Sequence, residues 1–318
     1  MLPFALKRVA RALAVIVFAT FLVVALLSLA PGSLAVVLLG ENATPDAVAA
    51  LEAELGLDQP LYVQYLQWVG GVLQGDLGTS LLTHQPVLEA IIQRLPVTIE
   101  LAMLAQVIAL GVAVPLAVVA ASRPGSLVDR VSTVLASAAL SIPAFVAAPV
   151  LIYFLSVQAG IFPVTGWSRI GDDGLAENLR SALLPAIAVA IPEIAAFQRL
   201  LRTDLAATLL EEFVDAARAR GMSRRYVLWR HALRPSSFSL ITLAGIGFGR
   251  LLGGTVIVET LFALPGLGQL ISQSITSRDV VVVQGVVAFV VIAYVLLNTL
   301  VDVTYGYLDP RVRREAAR

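Results

Sequence analysis

The chain has 318 residues, of which 58% are apolar and 14% are charged, and its mean hydropathy is +0.87. Because soluble domains carry about a quarter charged residues, this composition excludes a soluble protein. Basic and acidic residues both number 22, and the zero net charge provides no field that would attract nucleic acid. The composition therefore indicates an all-α polytopic membrane protein without a nucleic-acid partner.

Residues that commonly bind metals or act as nucleophiles are scarce. Cysteine is absent, and the only histidines are His84 and His231, which excludes disulfides, thiolate sites and multi-histidine metal cages. Neither histidine lies in an apolar stretch, and the metalloprotease sequence His-Glu-x-x-His does not occur. The sequence therefore predicts no bound metal, no cofactor and no catalytic residue, and it disfavours an integral-membrane enzyme, the main alternative of another class.

Six stretches are apolar enough to cross a bilayer, which takes about 20 residues. The third is predicted to be one kinked helix, since it contains Pro143 and Pro149, and the fourth and fifth contain ionisable residues. In chain order, the predicted spans cover residues 12–30, 101–122, 131–157, 182–201, 238–262 and 280–301.

The distribution of basic residues supports this number of spans. If the N-terminus is cytoplasmic, 17 of the 22 basic residues fall in cytoplasmic segments, as expected from the positive-inside rule. The sequence therefore predicts six spans with both termini in the cytoplasm. The first apolar run is longer than that of a typical signal peptide, and we expect it to remain as an uncleaved span.

Residues 31–97 form a large segment between the first two spans. Thr44-Pro45-Asp46 is typical of a helix start and Gly56 of a helix end. A second amphipathic stretch around Tyr65 and Trp68 is predicted to lie at the membrane interface. With seven acids and one base, the segment is predicted to be an acidic extracytoplasmic cap, which either covers helix ends or docks a soluble partner.

The segment between the fourth and fifth spans contains a predicted helix-turn-helix. One helix should end at Gly221, in the left-handed conformation that glycine favours, and a second should begin at Ser223. Ala216 and Ala217 are small enough to let another surface approach the first helix closely. The surrounding arginines offer forked donors to an acidic partner. The alternative is an ordinary solvated helix-turn-helix.

Three ionisable residues, Glu193, Arg250 and Glu259, lie inside predicted spans, where such groups face a partner or an aqueous cavity. Arg250 is expected either to line a pathway or to pair with Glu193 or a partner subunit. Glu259 lies near the outer end of its predicted span. We expect it to act as a gate, as a docking residue or as an acid at the membrane interface. Nine residues separate Arg250 from Glu259, so the two should point to different sides. Glycines of the fifth span at small-residue spacing are expected to pack against other helices.

The motif Asp215-Ala216-Ala217, followed by three residues and Gly221, resembles the EAA loop of ABC importer permeases. Residues 213–221 and 230–234 are similar to the B-type permease of the peptide/nickel family. Further ordered matches are Ala30-Pro31-Gly32, residues 54–60, residues 75–78, residues 259–262, residues 265–268 and Leu308-Asp309-Pro310-Arg311. The chain departs from the family pattern at three places. Asp215 replaces glutamate, and Arg250 stands where a small residue is expected. The proline that usually closes the loop is Pro235 here, and Ser239 occupies the position where that proline is expected.

This resemblance implies the type I importer permease fold and a bacterial inner-membrane location. It also implies a second homologous permease subunit, two cytoplasmic ATPases that bind ATP and Mg, an extracytoplasmic solute-binding protein, and lipid around the spans. The cargo would be short peptides, or alternatively nickel chelates or another small solute. The implied ATPase-coupling residues are Asp215, Ala216, Ala217, Arg218, Arg220, Gly221, Arg224 and Arg225.

The same reading divides the chain into four parts. Residues 1–30 form the N-terminus and first span, 31–97 the cap, 98–306 a five-helix core with the coupling loop 204–235, and 307–318 a cytoplasmic tail. The only lysine is Lys7, so the Gly-Lys-Ser/Thr of a phosphate-binding Walker A loop is missing. An ATP-driven motor must therefore be another chain. An ATP-independent channel is the remaining alternative, but it has no need of a motor-docking loop.

Overall fold

The fold is built from long helices connected by short ones. The computed structural model describes residues 2–29 and 34–308, which contain one isolated antiparallel bridge, between Thr79 and Pro86. Within these residues, five helices are long and apolar enough to cross a membrane, or six if one bent pair counts as a span. This confirms the predicted all-α polytopic class. The predicted Ala30-Pro31-Gly32 motif, Asp309-Pro310-Arg311 and the tail after Leu308 lie outside the described residues.

The helices follow one another along the chain with little irregular structure between them. The first half contains α1 (Leu2–Ser28), α2 (Leu34–Leu39), a 3-10 turn (Gly40–Asn42), α3 (Pro45–Glu54), α4 (Leu61–Leu73), α5 (Val87–Ser122), α6 (Leu127–Ser141), α7 (Ala144–Leu151) and a π-helical segment (Ile152–Gln158). The second half contains α8 (Ile170–Thr208), α9 (Glu212–Ala219), α10 (Arg224–Tyr226), a π-helical segment (Val227–Ala232), α11 (Leu233–Gly254), α12 (Val256–Leu261), α13 (Leu267–Thr276) and α14 (Val280–Leu308).

The long helices extend beyond the apolar stretches that predicted them. Helix α5 begins 14 residues before the predicted start at residue 101. Helix α8 begins 12 residues before residue 182, but its first turn is separated from the rest by Gly174, which is not helical (φ 81°, ψ 166°). An apolar stretch marks the part of a helix that lies in hydrocarbon, whereas backbone hydrogen bonding continues past the membrane boundary. In each helix, the additional residues precede the predicted start of the apolar span.

The third predicted span is broken rather than kinked. Leu127–Leu140 and Ala144–Gln158 meet at an angle of 101°. Pro143 disfavours the helical conformation at the preceding residue, and Ile142 is extended, with ψ of 107°. Pro149 lies inside α7 without ending it. The prediction of one kinked helix is therefore wrong at Pro143.

The fifth predicted span is also divided. Helix α11 ends at Gly254, and the short helix α12 follows after Thr255. The adjacent Gly253 and Gly254 weaken the helix at this point, since glycine is about 1 kcal/mol less favourable than alanine inside a helix. The prediction of one continuous helix over 238–262 is corrected accordingly.

A face of fully buried alanines joins α5 to α8 at the centre of the core. On α5 these alanines recur every three or four residues, which places them on one side of the helix. Small side chains allow two helix backbones to approach closely in a membrane. The α5 residues are Ala102, Ala105, Ala109, Ala113 and Ala117, and the α8 residues include Ala182, Ala186 and Ala190.

The glycines of α11 provide a similar close contact with α14. A Cβ atom at Gly245 would lie 2.6 Å from Cγ2 of Val301, and one at Gly249 would lie 3.2 Å from the Tyr294 ring. Any side chain at Gly245 would therefore force the helices apart. The predicted packing role of these glycines is confirmed, except at Gly254, where the space is open.

A buried ion pair connects α6 to α8 at the end of the core near residue 125. Arg202 donates two hydrogen bonds to the Asp129 carboxylate, at 2.9 and 2.8 Å, and the Gly125 amide donates a third, at 2.9 Å. The Asp129 side chain is 5% exposed and that of Arg202 is 30% exposed. This bidentate geometry holds the first helix of the bent pair against α8.

We expect Asp129→Ala to lower the free energy of unfolding by about 2 kcal/mol, because it removes three charge-assisted hydrogen bonds and leaves Arg202 unpaired. The exposed pair between Asp215 and Arg218 provides a matched control in the same chain, and Asp215→Ala should change the same quantity by about 0.5 kcal/mol or less. Denaturant unfolding of the detergent-solubilised chain measures both. Equal losses in the two variants would contradict a structural role for the buried pair.

Candidate functional site

The segment between α8 and α11 forms a compact turn, which we call the elbow (residues 211–232). Helix α9 ends where Gly221 takes a left-handed conformation, with φ of +80°. The Met222 amide then donates to the Ala217 carbonyl. Ser223 Oγ accepts a hydrogen bond from the Tyr226 amide and so begins α10. The predicted helix-turn-helix is confirmed at both positions.

The two alanines of the elbow have different environments. Ala217 is buried in a small apolar cluster with Val214 and Val227, whereas Ala216 is exposed. Phe213, Ala216 and Arg220 are spaced by three and four residues, so they share one exposed face of α9. Ala217 therefore fixes the fold of the elbow, and of the two motif alanines Ala216 is the one at its surface.

The charged residues of the elbow also divide into two groups. Arg224 donates to the Ser122 carbonyl at the C-terminal end of α5, which ties the elbow to that helix. Asp215 and Arg218 form an exposed ion pair at 3.0 Å. Among the described residues, Arg220 and Arg225 have no carboxylate within ion-pair distance. Their guanidinium groups remain available to a partner.

The elbow is attached to three long helices through a second apolar cluster. Leu228 and Ala232 of the elbow pack against Val118 and Ala121 of α5 and Leu205 of α8. Beyond the elbow, the Ser236 hydroxyl of α11 donates to Thr208 Oγ1 of α8, at 2.9 Å. A force applied to the elbow is therefore transmitted to the ends of α5, α8 and α11.

Within the spans, Arg250 of α11 pairs with Glu193 of α8. The guanidinium donates to Glu193 Oε1 at 2.6 Å, and the other carboxylate oxygen has no hydrogen-bond partner among the described residues. Gly247 leaves room for this oxygen, since a Cβ atom there would lie only 3.1 Å from it. The Glu193 side chain is 4% exposed and that of Arg250 is 59% exposed. Arg250 therefore offsets the burial of Glu193 and still reaches the surface of the chain.

Glu259 occupies a different position from the one that the sequence suggested. It is fully buried, so the prediction of an interface acid is wrong, and it makes no ion pair with Arg250. Thr98 and Thr255 donate to Glu259 Oε1, at 2.9 and 2.8 Å. Together these contacts connect α5, α12 and the region of α13.

The second oxygen of Glu259 caps the N-terminus of α13. The amides of Gly268 and Gln269 donate to Oε2 at 2.7 and 3.2 Å, an arrangement favoured because unpaired amides and the helix dipole attract an anion. A Cβ atom at Gly266 would lie 2.3 Å from the same oxygen. Glu259 is therefore a structural anchor whose neighbours must be small.

Sequence reasoning missed the partners of two buried carboxylates, Glu259 and Asp279. Thr98 lies 161 residues from Glu259, and Ser80 lies 199 residues from Asp279, to which its hydroxyl donates at 2.5 Å. Asp279 also accepts from the Val282 amide and so caps α14. An acid directly before an apolar stretch is a recognisable helix-start signal, but no local pattern indicates the distant hydroxyl.

Comparison with known proteins covers the whole chain. Residues 113–314 match the family described as binding-protein-dependent transport system inner membrane component, and residues 1–102 match the corresponding N-terminal family. A relative from Brucella abortus (strain 2308), named as a peptide transport system permease protein, is 41% identical over 308 residues, which cover 97% of this chain and 98% of the relative.

Two further relatives have the same extent. A relative from Sinorhizobium fredii, named as a peptide ABC transporter permease protein, is 37% identical over 97% of this chain and 98% of its own length. The dipeptide transport system permease protein DppB of Escherichia coli (strain K12) is 34% identical over 99% of this chain and all of its own length. The chain therefore belongs to the family of binding-protein-dependent transport system inner membrane components, as a permease subunit of an importer.

Proposed function

We propose that this permease subunit forms half of the translocation pathway of an ATP-driven importer for short peptides. The observation that carries the cargo class is the end-to-end similarity to relatives from three genera that are named as peptide or dipeptide permeases. The other half of the pathway is a second, homologous permease subunit. Two cytoplasmic ATPases hold ATP and Mg, and an extracytoplasmic solute-binding protein delivers the peptide.

The elbow is the proposed contact with an ATPase. Its exposed face presents Phe213, Ala216 and Arg220 to a groove on that subunit, and Arg225 is also available to acidic residues beside it. ATP binding closes the ATPases, and a helix held in their groove must move with them. Closure of the ATPases shifts the conformational equilibrium of the permease only by the difference in their affinity for its two conformations. The contact of Arg224 with α5 and the apolar cluster around Leu228 and Ala232 then transmit the movement of the elbow to α5, α8 and α11.

This arrangement requires the elbow and both termini to lie in the cytoplasm and residues 31–97 to lie outside. Support comes from the concentration of arginines in the elbow and from the scarcity of basic residues in 31–97, where Arg94 is the only one. Within the spans, Arg250 is proposed to line the pathway and to meet the carboxylate of a cargo in transit, while the buried Glu193 holds its guanidinium in place.

Because the natural chain has no cysteine, single cysteines can report this orientation. Glu54→Cys, on α3, and Pro124→Cys, in the turn between α5 and α6, replace exposed residues on opposite sides of the proposed membrane. In intact spheroplasts, a membrane-impermeant maleimide should label Glu54→Cys and spare Pro124→Cys, which should react after permeabilisation. The reverse pattern would contradict the proposed orientation.

We expect Gly221→Leu to reduce peptide uptake and the amount of copurified ATPase by about tenfold. A residue with a side chain loses about 1–2 kcal/mol in the left-handed conformation that Gly221 adopts, so the turn that orients the α9 face is displaced. Gly75 also has a positive φ, of +85°, with open space around it. Gly75→Leu is therefore the matched control and should copurify normal amounts of ATPase. Normal coupling in Gly221→Leu would contradict the proposed role of the elbow.

A double variant separates two roles of Arg250. Arg250→Ala should lower the stability of the subunit by about 1–3 kcal/mol, because the buried Glu193 loses its cation. Glu193→Gln in the same chain should restore stability by removing the unpaired charge. If Arg250 contacts the cargo carboxylate, uptake stays low in the double variant although stability returns. Thermal unfolding and uptake assays measure the two quantities, and uptake that recovers together with stability would remove Arg250 from the pathway.

A further inference from the structure

A polar cavity of about 640 Å³ lies between α5 and the beginning of α8, at the end of the core away from the elbow. Its lining combines charged, amide and apolar side chains, among them Glu100, Arg169, Asn178 and Trp167. Small-ligand sites typically enclose about 300–1,000 Å³ and contain a few polar groups in an apolar wall. The cavity therefore has the size and composition of a site for a small solute.

Two opposite charges face this cavity without neutralising each other. Glu100 is the last charged residue before the uncharged stretch 101–122 of α5, which places its carboxylate at the boundary of the apolar region. Arg169 directly precedes α8. Within the described part of the chain, neither side chain has an ion-pair partner within 4 Å. The cavity thus offers one negative and one positive group to a ligand.

The third polar group is a buried amide with an unused acceptor. Asn178 is 1% exposed, and its Nδ2 donates to the Ser168 carbonyl at 2.9 Å. Its Oδ1 has no hydrogen-bond donor among the described residues. A buried polar atom without a partner costs about 1–3 kcal/mol. This oxygen is therefore suited to accept an N–H group from a ligand in the cavity.

We propose that the cavity binds the main chain of a short peptide, and this assignment rests on the peptide cargo proposed above. Glu100 receives the α-ammonium group, Arg169 receives the α-carboxylate, and Asn178 Oδ1 accepts a hydrogen bond from a peptide N–H. The termini of an extended dipeptide lie about 7 Å apart. These three groups occur in every unblocked dipeptide whose second residue is not proline, so the site accepts different side chains against its apolar wall, which includes Trp167 and Ile170.

A phosphatidylethanolamine headgroup also carries an ammonium group and an anion. Its ammonium has three N–H donors, enough to serve both Glu100 and the neighbouring Asn178 Oδ1, so a peptide and this headgroup share the recognised chemistry. Nanodiscs of phosphatidylcholine and of phosphatidylethanolamine distinguish the two ligands.

The test uses the absence of natural cysteines. Gln93→Cys places one thiol at the exposed rim of the cavity, and the permease–ATPase complex without the solute-binding protein is assembled in phosphatidylcholine nanodiscs. Alanyl-alanine should slow modification of this thiol by a maleimide at least threefold. N-acetylated alanyl-alanine, which lacks the ammonium, and its C-terminal amide, which lacks the carboxylate, should each protect with about tenfold weaker affinity.

Variants of the cavity then test which residue binds each charged terminus of the peptide. Glu100→Gln should weaken protection by alanyl-alanine about tenfold and remove the discrimination against the acetylated peptide, whereas Arg169→Gln should remove the discrimination against the amide. Glu177 provides the matched control, because it lies on α8 outside the cavity and pairs with Arg180 at 3.6 Å, half exposed. In Glu177→Gln, alanyl-alanine should protect the thiol at residue 93 as well as it does in the natural sequence. If alanyl-alanine protects the thiol equally well in Glu100→Gln, in Arg169→Gln and in the natural sequence, the assignment is overturned.

Two further measurements separate this inference from its premises. If the complete importer takes up alanyl-alanine while the peptide gives no protection at residue 93, the cavity assignment fails and the peptide cargo stands. If no short peptide is taken up, the cargo proposal fails, and the inference with it. If phosphatidylethanolamine nanodiscs slow the modification and peptide adds nothing, a lipid headgroup occupies the cavity and the assignment is overturned.

Discussion

The close contact between α5 and α8 is the interaction on which the other features of this chain depend. Apolar side chains gain little by leaving lipid for a protein interior, so helices in a membrane associate through close packing. The buried alanine face provides this packing over about four turns of α5. One end of the α5–α8 pair carries the attachment of the elbow, and the other end lines the polar cavity. Enlarging these alanines would displace both at once.

Buried carboxylates connect the remaining elements to this pair. Asp129, Glu193, Glu259 and Asp279 each accept a hydrogen bond from a residue on another element of the chain. A carboxylate cannot remain unpaired in a low-dielectric interior, so each one fixes the position of the element that carries its donor. Glu259 shows the strictest case, because its four donors come from α5, α13 and the residue preceding α12.

Local rules predicted the parts of this structure that are determined within a few residues. The uncharged stretches located the spans, and Gly221 and Ser223 located the ends of the elbow helices. The sequence could not reveal the 101° break at Pro143, because a proline permits either a kink or a break and the packing of α6 and α7 decides. Nor could it reveal that Glu259 is buried, since its hydroxyl partner on Thr98 is distant in sequence.

The proposed site and the proposed motor contact lie at opposite ends of the α5–α8 pair. Glu100 and Ser122 are separated by 22 residues of one continuous helix, about 33 Å. Since the cavity lies between α5 and α8, and the alanine face keeps these helices together, we expect a displacement of the elbow to move the cavity with the pair. In the proposed importer, this movement would change the surface that the cavity faces on the second permease subunit. ATP-driven movement would therefore alter access to an intact site, as in transporters that rock one half against the other around a fixed binding site.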